Sequence, residues 1–449
     1  MTEPGQASTV RVGERAEGTV RRWCALWADS PLAHWWLRRA IGVYVVAVFA
    51  IRIHHEGDFA GYLRVGELVL QGQDPYRAAG ALNTWPPFFS VLCVPLAILA
   101  MPSPYVARGV WFVLNFAALW WILSLIAKLV YGRRLTWRSP QGLLLTSPFV
   151  LLPALFSERY VSSNFDHVQI NLILFALVLA GLKAQMEGNE ARGGALVAFA
   201  AAIKLLPLTF LLYFLWRRRW RALLSSAAIF VGLSLSPALL WGWPRYWDYF
   251  AAWRERVSAG WGVGRLNQSV WAMWDRWLGH GMIPMLTPGA HDIPSSGSPW
   301  VPVAVGVTLA TLVGCFWARS RKGGGDPAQQ LCEWSFVFLA TALFSPVTWK
   351  AYLAVVLLPN TLLFATWWQA TRNAPSHRAA LLGLAASVTT NLLSPGLLGR
   401  NLAARLEMAC VPTILGLTLL AALVWVYPYL SFATFRAEGA RAGRTPSLT

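Results

Sequence analysis

Apolar residues along this chain gather into long blocks rather than short alternating runs. The first block begins near residue 40, and later ones occupy 86–101, 105–131, 141–156, 165–184, 194–216, 222–243, 299–318, 333–349, 351–370, 379–397 and 409–432. Blocks of this length are the pattern of helices that cross, or partly cross, a bilayer. Two are atypical. Block 86–101 is short and holds Pro86, Pro87 and Pro95, too broken for an easy span of roughly 30 Å, and reads as a re-entrant or interfacial helix. Block 194–216 carries Lys204 and Pro207 at its middle. A central Lys costs about 2.5–3.5 kcal/mol and a Pro removes a helical hydrogen bond, so this block reads as two half-helices meeting near Lys204. Residues 333–370 would measure about 57 Å as one helix and must therefore turn back, at 345–352. The pattern predicts an all-α, polytopic membrane helical bundle of about 11–13 spanning or half-spanning helices, with amphipathic helices on the external face.

Composition and charge then set orientation. The 449 residues are 56% hydrophobic and 13% charged with a mean hydropathy of +0.47, which excludes a disordered chain and an ordinary soluble enzyme. The net charge of +18 sits in short loops beside apolar blocks, where it orients a membrane protein and does not grip nucleic acid. The basic loops are Arg133/Arg134/Arg138, Arg217/Arg218/Arg219/Arg221, Arg319/Arg321/Lys322, Arg372/Arg378 and the tail Arg436/Arg441/Arg444. With the Arg-rich start (Arg11, Arg15, Arg21, Arg22, Arg38, Arg39) they are expected in the cytoplasm, so both termini are cytoplasmic and the first block is an uncleaved anchor. A plain twelve-span arrangement is the alternative. The expected organisation is a basic segment 1–39, one membrane-embedded domain 40–432 with external loops 52–85 and 244–298, and a cytoplasmic tail 433–449, in a multi-pass protein of the cell membrane. Five cysteines show no C-x-x-C spacing, so neither a metal site nor a disulfide is read.

Chemistry gathers on the predicted external side. His54 and His55 precede Asp58, after which Phe59, Tyr62, Leu63, Gly66, Val69 and Leu70 mark one helical face and Arg64, Glu67 and Gln71 another. Gly72 ends that helix and Asp74-Pro75-Tyr76 makes a turn. Asp58 is either the N-cap of this helix or a general base at the water–membrane boundary. Asn164, Asp166, His167, Gln169 and Asn171 open block 165–184; on helical spacing Asn164, His167 and Asn171 share one face, meeting headgroups or lining a wet cavity. At the later turn, Trp349 suits an interfacial anchor and Lys350 either a snorkelling cation or a partner for lipid phosphate. Arg265 stands above an expected interfacial helix carrying Trp271, Trp274 and Trp277 and is a candidate anion holder. No P-loop, G-x-G-x-x-G, H-E-x-x-H or G-x-S-x-G motif is present.

An ordered set of short motifs resembles glycosyltransferase family 87, integral-membrane C-type glycosyltransferases that use polyprenyl-phosphate-mannose or related donors. These are Asp58-Phe-x-x-Tyr62, Leu70-Gln-Gly72-Gln-Asp74-Pro75-Tyr76, Trp85-Pro86-Pro87-Phe88, Gln169-x-Asn171, Ala202-Ile203-Lys204-x-x-Pro207, Asn267-Gln268-Ser269 and Ser345-Pro346-x-x-Trp349. The resemblance implies an inverting transfer on the external face. Asp58 would be the base on the hydroxyl of a glycolipid or glycan acceptor, and cationic or hydrogen-bonding side chains would receive the departing polyprenyl phosphate, so the resemblance implies no obligatory cofactor and leaves room for a divalent cation. Two positions depart from the family: Lys350-Ala351-Tyr352 stands where an acidic residue and a histidine usually follow Trp349, and Val168 stands where glycine usually precedes Gln169. Lys350 and Arg265 are therefore expected to contribute phosphate contacts, with Lys204, Asn267, Gln268 and Tyr352 completing the substrate-binding set. The rival reading is a transporter or flippase of polyprenyl lipids, which would use the same charges without chemistry and for which paired or inverted repeats would be expected; none is visible.

Overall fold

The computed structural model describes residues 18–79, 83–139, 141–258, 262–281, 293–321 and 325–431. The sequence expectations for Arg11, Arg15, Lys322, Arg436, Arg441 and Arg444 lie outside the described residues. Among the described residues, the strands are one parallel pair of two residues each, Leu135–Thr136 with Leu143–Leu144. Everything else regular is helix. Among the described residues, six helices are long and apolar enough to cross a membrane: Pro31–Arg52, Pro104–Tyr131, Trp220–Trp241, Trp300–Ser320, Lys350–Gln369 and Val411–Tyr429. Pro87–Ala100, Asn171–Met186 and Leu206–Trp216 are shorter apolar helices.

The helix starts are written in the sequence. Ser30, Ser103 and Asp326 each accept a first-turn amide on their side chain, and each is followed by proline at a position where no amide is needed. Gly132, at φ 67°, ends helix Pro104–Tyr131 in the left-handed conformation. Core position differs sharply between spans. The most apolar window of Lys350–Gln369 is 83% buried inside the protein, whereas that of Pro31–Arg52 is 6% buried and faces outward. The central span is thus the one whose first turn reaches the site described below.

Side-chain contacts fix which ends share a side. His34, at the start of helix Pro31–Arg52, is hydrogen-bonded through Nδ1 to Thr146 Oγ1 at 2.9 Å, in the loop that follows Arg133 and Arg134. At the other end Arg108 donates to the Ile53 carbonyl at 3.2 Å and to Glu56 at 3.0 Å. Helices Pro31–Arg52 and Pro104–Tyr131 therefore run antiparallel, with the basic loop beside the chain's first span start. Helix Pro87–Ala100 enters and leaves on the opposite side. Trp85, before it, packs on the Tyr62 ring at 4.7 Å, and Tyr105, after it, meets the His54 ring at 5.5 Å. At 14 residues, or about 21 Å, it is too short to cross.

Block 194–216 is a hairpin of the same kind. Helix Glu190–Ile203 stops at Lys204, whose backbone is extended (φ −151°, ψ 124°), and the chain returns through Leu206–Leu208 and Thr209–Trp216. Arg219 pairs with Glu190 at 3.1 Å, closing the hairpin on the basic side and leaving Lys204 at its apex.

Three sequence expectations differ from what is observed. Block 165–184 is not one helix: Glu158–Asp166 ends, the chain folds back with Val168 at φ 49°, and a new helix starts at Asn171. The shared face of Asn164, His167 and Asn171 is thus replaced by a loop. Asp58 is not an N-cap, because helix Gly57–Leu70 begins one residue earlier and Asp58 lies in its first turn. The tryptophans at 271, 274 and 277 do not form one interfacial helix either. Helix Val270–Trp274 gives way to a wider turn over Asp275–Gly279, and Trp274 donates its indole N–H to Thr308 at 3.0 Å, packing the segment on Trp300–Ser320.

Helices Gly57–Leu70 and Pro87–Ala100 approach so closely that a Cβ on Gly66 would lie 2.3 Å from the Cys93 carbonyl oxygen. Overpacking of this kind costs about 1–3 kcal/mol. Gly66→Ala is expected to lower the thermal unfolding temperature in detergent, while Gly72→Ala, with open space around it but a φ of 68°, costs only the backbone strain.

Candidate active site

Two helix breaks face each other on the side opposite the basic loops: residues 167–170 and the hairpin apex at Lys204. Each leaves polar groups without helical partners, and side chains take over. Gly57 makes the first link. Its φ of +51° and the 2.3 Å that would separate a Cβ from the His167 carbonyl oxygen leave no room for a side chain. The next amide, of Asp58, donates to that carbonyl at 2.9 Å. The Asp58 carboxylate is thereby placed above Gln169, whose Nε2 donates to Oδ2 at 2.8 Å.

From there the network continues through amides with consistent polarity. Gln169 Oε1 accepts from Asn171 Nδ2 at 2.5 Å, and Asn171 Oδ1 accepts from the Lys204 ammonium at 2.8 Å. Asn171 Nδ2 also reaches Asn164 Oδ1 at 3.2 Å, and Asn164 donates to the Ala351 carbonyl at 3.0 Å. Lys204 lies 3.6 Å from the centroid of the Tyr352 ring, a cation–π contact. A carboxylate and a cation from elements far apart in sequence are therefore joined by two carboxamides. Asp58 itself reaches solvent, yet protein fills most of the space around it. That loss of water raises its pKa above the usual carboxylate value, and the nearby Lys204 and His167 offset the rise only in part.

Below Lys204 and Tyr352 opens an apolar groove of about 840 Å³. Thr84, Trp85, Lys204 and Tyr352 line its polar end, and Trp216, Phe316 and Trp317 its far end. Trp253 closes the polar end by donating to the Thr84 carbonyl at 3.1 Å. The lining stretch of helix Pro327–Phe344, from Phe336 to Phe344, gives a depth of about 12 Å.

The other candidate residues take varied places. Tyr62 is buried beneath Asp58 with its ring against Trp85, Phe89 and Trp111. His54 and His55 are exposed, and Arg64 pairs with Glu67 at 3.4 Å on the outer surface. Asp166 pairs with Arg52 at 2.8 Å. Asp74 caps its own turn by accepting from the Tyr76 and Arg77 amides, while the buried Tyr76 hydroxyl donates to the Trp85 carbonyl at 3.0 Å. Asn267 donates to the Pro346 carbonyl at 3.0 Å and accepts the Thr348 amide at 3.0 Å, pinning the loop to the 345–348 turn, and Gln268 donates to the Glu407 carbonyl at 3.0 Å, pinning it to the end of helix Arg400–Met408. Trp349 is 36% exposed. Lys350 pairs at 2.5 Å with Glu407, which Arg159 and Arg265 also approach. Sequence reading passed over Glu407 and Arg159, because 248 residues separate them and polarity alone does not reveal a partner. Among the described residues, no three His, Cys, Asp or Glu side chains converge as metal ligands.

The model of glycosyltransferase family 87 matches residues 83–346, a stretch that takes in Gln169, Asn171, Lys204 and Asn267 and begins after Asp58. The chain is 29% identical over 371 residues to a polyprenol-phosphate-mannose-dependent alpha-(1-2)-phosphatidylinositol mannoside mannosyltransferase of Mycobacterium tuberculosis, covering 81% of this chain and 80% of that protein. A protein of the same description from Mycolicibacterium smegmatis is 28% identical over 369 residues, covering 76% of each. Among solved structures, ArnT from Cupriavidus metallidurans bound to undecaprenyl phosphate aligns with a TM-score of 0.44 at 14% identity, over 89% of this chain and 78% of that one.

The Gly57 turn is the point where this geometry is most easily broken. A left-handed non-glycine residue costs about 1–3 kcal/mol and the clash adds a similar amount. Gly57→Ala is expected to destabilise the protein by about 2–6 kcal/mol in denaturant or thermal melts, and a variant as stable as the wild type would mean that the carbonyl of His167 does not hold Asp58.

Proposed function

The chain belongs to glycosyltransferase family 87, and from that premise we propose that it moves a hexose, in the first instance mannose, from a polyprenyl-phosphate donor to a hydroxyl of a glycolipid. The observation that carries this reading is the hydrogen-bonded path from Asp58 to Lys204 at the polar end of an apolar groove. The relatives described above act on phosphatidylinositol mannoside and depend on polyprenol-phosphate-mannose, and an acceptor and donor of those classes suit this site. The polyprenyl tail lies in the groove, its phosphate meets Lys204, and the sugar projects toward Asp58. The acceptor oxygen then attacks the anomeric carbon while Asp58 takes its proton. The bond between that carbon and the phosphate oxygen breaks with inversion, and the extra negative charge on the leaving phosphate is met by the Lys204 ammonium.

The sides follow from charge. Arg217, Arg219 and Arg372 stand opposite Asp58, and by the positive-inside rule this supports a cytoplasmic position for them and transfer on the external face of the cell membrane. A flippase reading finds less support. A path for a charged headgroup needs polar stations through the bilayer, whereas below Lys204 the groove carries no further charged side chain and its lining is mainly apolar, with Leu309, Val313, Phe316, Val337 and Phe344 outnumbering Thr209, Tyr213 and Thr341.

Two outcomes test the proposal, both read as transfer of labelled mannose from polyprenyl-phosphate mannose in proteoliposomes. Asp58→Asn is expected to lower the rate by about 10²–10⁴-fold without changing the melting temperature, as loss of a general base does; near-wild-type turnover removes Asp58 from the chemistry. Because the base must be ionised, kcat/KM should fall as pH drops through a pKa above the ordinary value of about 3.9. Lys204 pulls that pKa down, so in Lys204→Met the acid limb of the pH profile should move to higher pH, on top of a lower maximum rate. A limb that stays in place would uncouple the two charges.

A further inference from the structure

A second charged cluster lies on the same side as Asp58 and apart from the groove. Glu407, near the end of helix Arg400–Met408, is 1% exposed. One of its carboxylate oxygens accepts from Arg159 Nη2 at 2.7 Å and from Lys350 Nζ at 2.5 Å, and Arg265 Nη1 approaches the other at 3.4 Å. Arg159 and Lys350 alone exceed Glu407 by one positive charge, before Arg265 is counted. Arg276, fully buried beside them, donates to the carbonyls of Val263, Gly264, Asn267 and Glu407, and so fixes the loop against the helix end. Desolvating an ion costs several kcal/mol unless its partners match it. Stability alone gives no reason to crowd cations around a single buried carboxylate. The Lys350 side chain is 25% exposed, which opens the cluster to a ligand. Arg159, Arg265, Lys350 and Glu407 do not line the groove, whose cation is Lys204.

We propose that Arg159 and Lys350, with Arg265 beside them and Glu407 as resident counter-ion, bind the phosphodiester of an anionic glycolipid acceptor. The assignment to the acceptor rests on the reading above, in which the donor phosphate occupies Lys204. Spacing supports it. Arg159 and Asn164 are five residues apart on helix Glu158–Asp166, about 7.5 Å along the axis. Asn164 is bonded both to Asn171 of the Asp58 network and to Ala351, next to Lys350. These links set the cluster beside the Asp58 network, so a lipid headgroup held at Lys350 by its phosphodiester presents its sugars toward Asp58. Arginine and lysine together suit a phosphodiester, the guanidinium by its paired donors and the ammonium as a compact charge.

The test is equilibrium binding of dioctanoyl phosphatidylinositol to the full chain in nonionic detergent, with dioctanoylglycerol as uncharged control and inorganic phosphate as competitor. The wild type should bind the anionic lipid and not the control. Lys350→Gln should weaken binding about tenfold, equivalent to about 1.4 kcal/mol, and Lys350→Arg should restore it. Glu407→Gln removes the internal competitor for the same cations and should tighten binding several-fold, a gain that a purely structural role for Glu407 does not produce. The partly exposed Lys350 variants carry the test even where Glu407→Gln does not fold. Equal affinity of wild type and Lys350→Gln overturns the proposal. Inorganic phosphate that competes at equal concentration, with the same sensitivity to Lys350→Gln, overturns the acceptor assignment in favour of free phosphate. In the transfer assay, Lys350→Gln should raise KM for an anionic acceptor and leave donor KM unchanged; a raised donor KM also overturns it. Lipid binding is read without turnover, so a protein that binds as expected and transfers nothing removes the proposed reaction while the binding site stands.

Discussion

Asn171 joins two helix breaks that would otherwise each need a solution of their own. Inside an apolar bundle a broken helix exposes backbone and side-chain dipoles to a medium that does not solvate them, and each unmet group costs about 1–3 kcal/mol. The break at 167–170 and the one at Lys204 lie opposite each other, and the single carboxamide of Asn171 accepts from Lys204 on one side and donates to Gln169 and Asn164 on the other. Its polarity leaves Gln169 only one orientation, with Nε2 toward Asp58. The carboxylate and the cation are thus placed by the same group that satisfies the breaks. Chemistry-bearing side chains gather where the helices fail because that is where polar groups are obliged to converge.

The sequence carried much of this arrangement and missed a definite part. The proline-broken block 86–101 and the Lys204–Pro207 pair were legible because their local cost in a span is large and of known sign. Asp58, Gln169, Lys204 and Tyr352, four separately chosen candidates, end in one network. The fold-back at Val168 was illegible from the residues alone. A β-branched residue disfavours the left-handed conformation it adopts at φ 49°, so propensity points the other way, and only the family's glycine at that position hints at the turn. Asp74, Tyr76, Asn267 and Gln268 show a different limit. Their polarity was visible, but their partners are backbone groups of the protein itself. Polarity near a membrane boundary signals an unmet bond and says nothing about what meets it.

The charged groups divide along the same line. On the basic side, Arg217 pairs with the buried Glu333, which also accepts from Tyr213 and Tyr427, so that side is closed by a network with its charges balanced. On the Asp58 side the balance is uneven: Lys204 is linked to its carboxylate through two amides rather than by contact, and Glu407 is shared among cations. A direct Asp58–Lys204 ion pair would have held the carboxylate firmly ionised and left the ammonium committed to it. Spacing them by two carboxamides keeps the pair aligned while leaving each free to meet a partner from outside.

Val168 shows how far the fold goes to keep that spacing. Left-handed backbone at a non-glycine residue costs about 1–3 kcal/mol and persists only where the surroundings over-determine it. Here they do: the flanking His167 carbonyl is held by the Asp58 amide, the Gln169 amide donates to the Asn164 carbonyl at 2.9 Å, and the Val168 side chain is 1% exposed among apolar neighbours. Burying that side chain returns about 1.5–3 kcal/mol, comparable to the strain. The valine therefore replaces glycine's freedom with packing, and the turn that carries Gln169 toward Asp58 is held by core contacts instead of by a permissive backbone. Rigidity of that origin keeps the Asp58 carboxylate among protein groups, whereas a loop free to relax would give it more water and lower the pKa that burial raises.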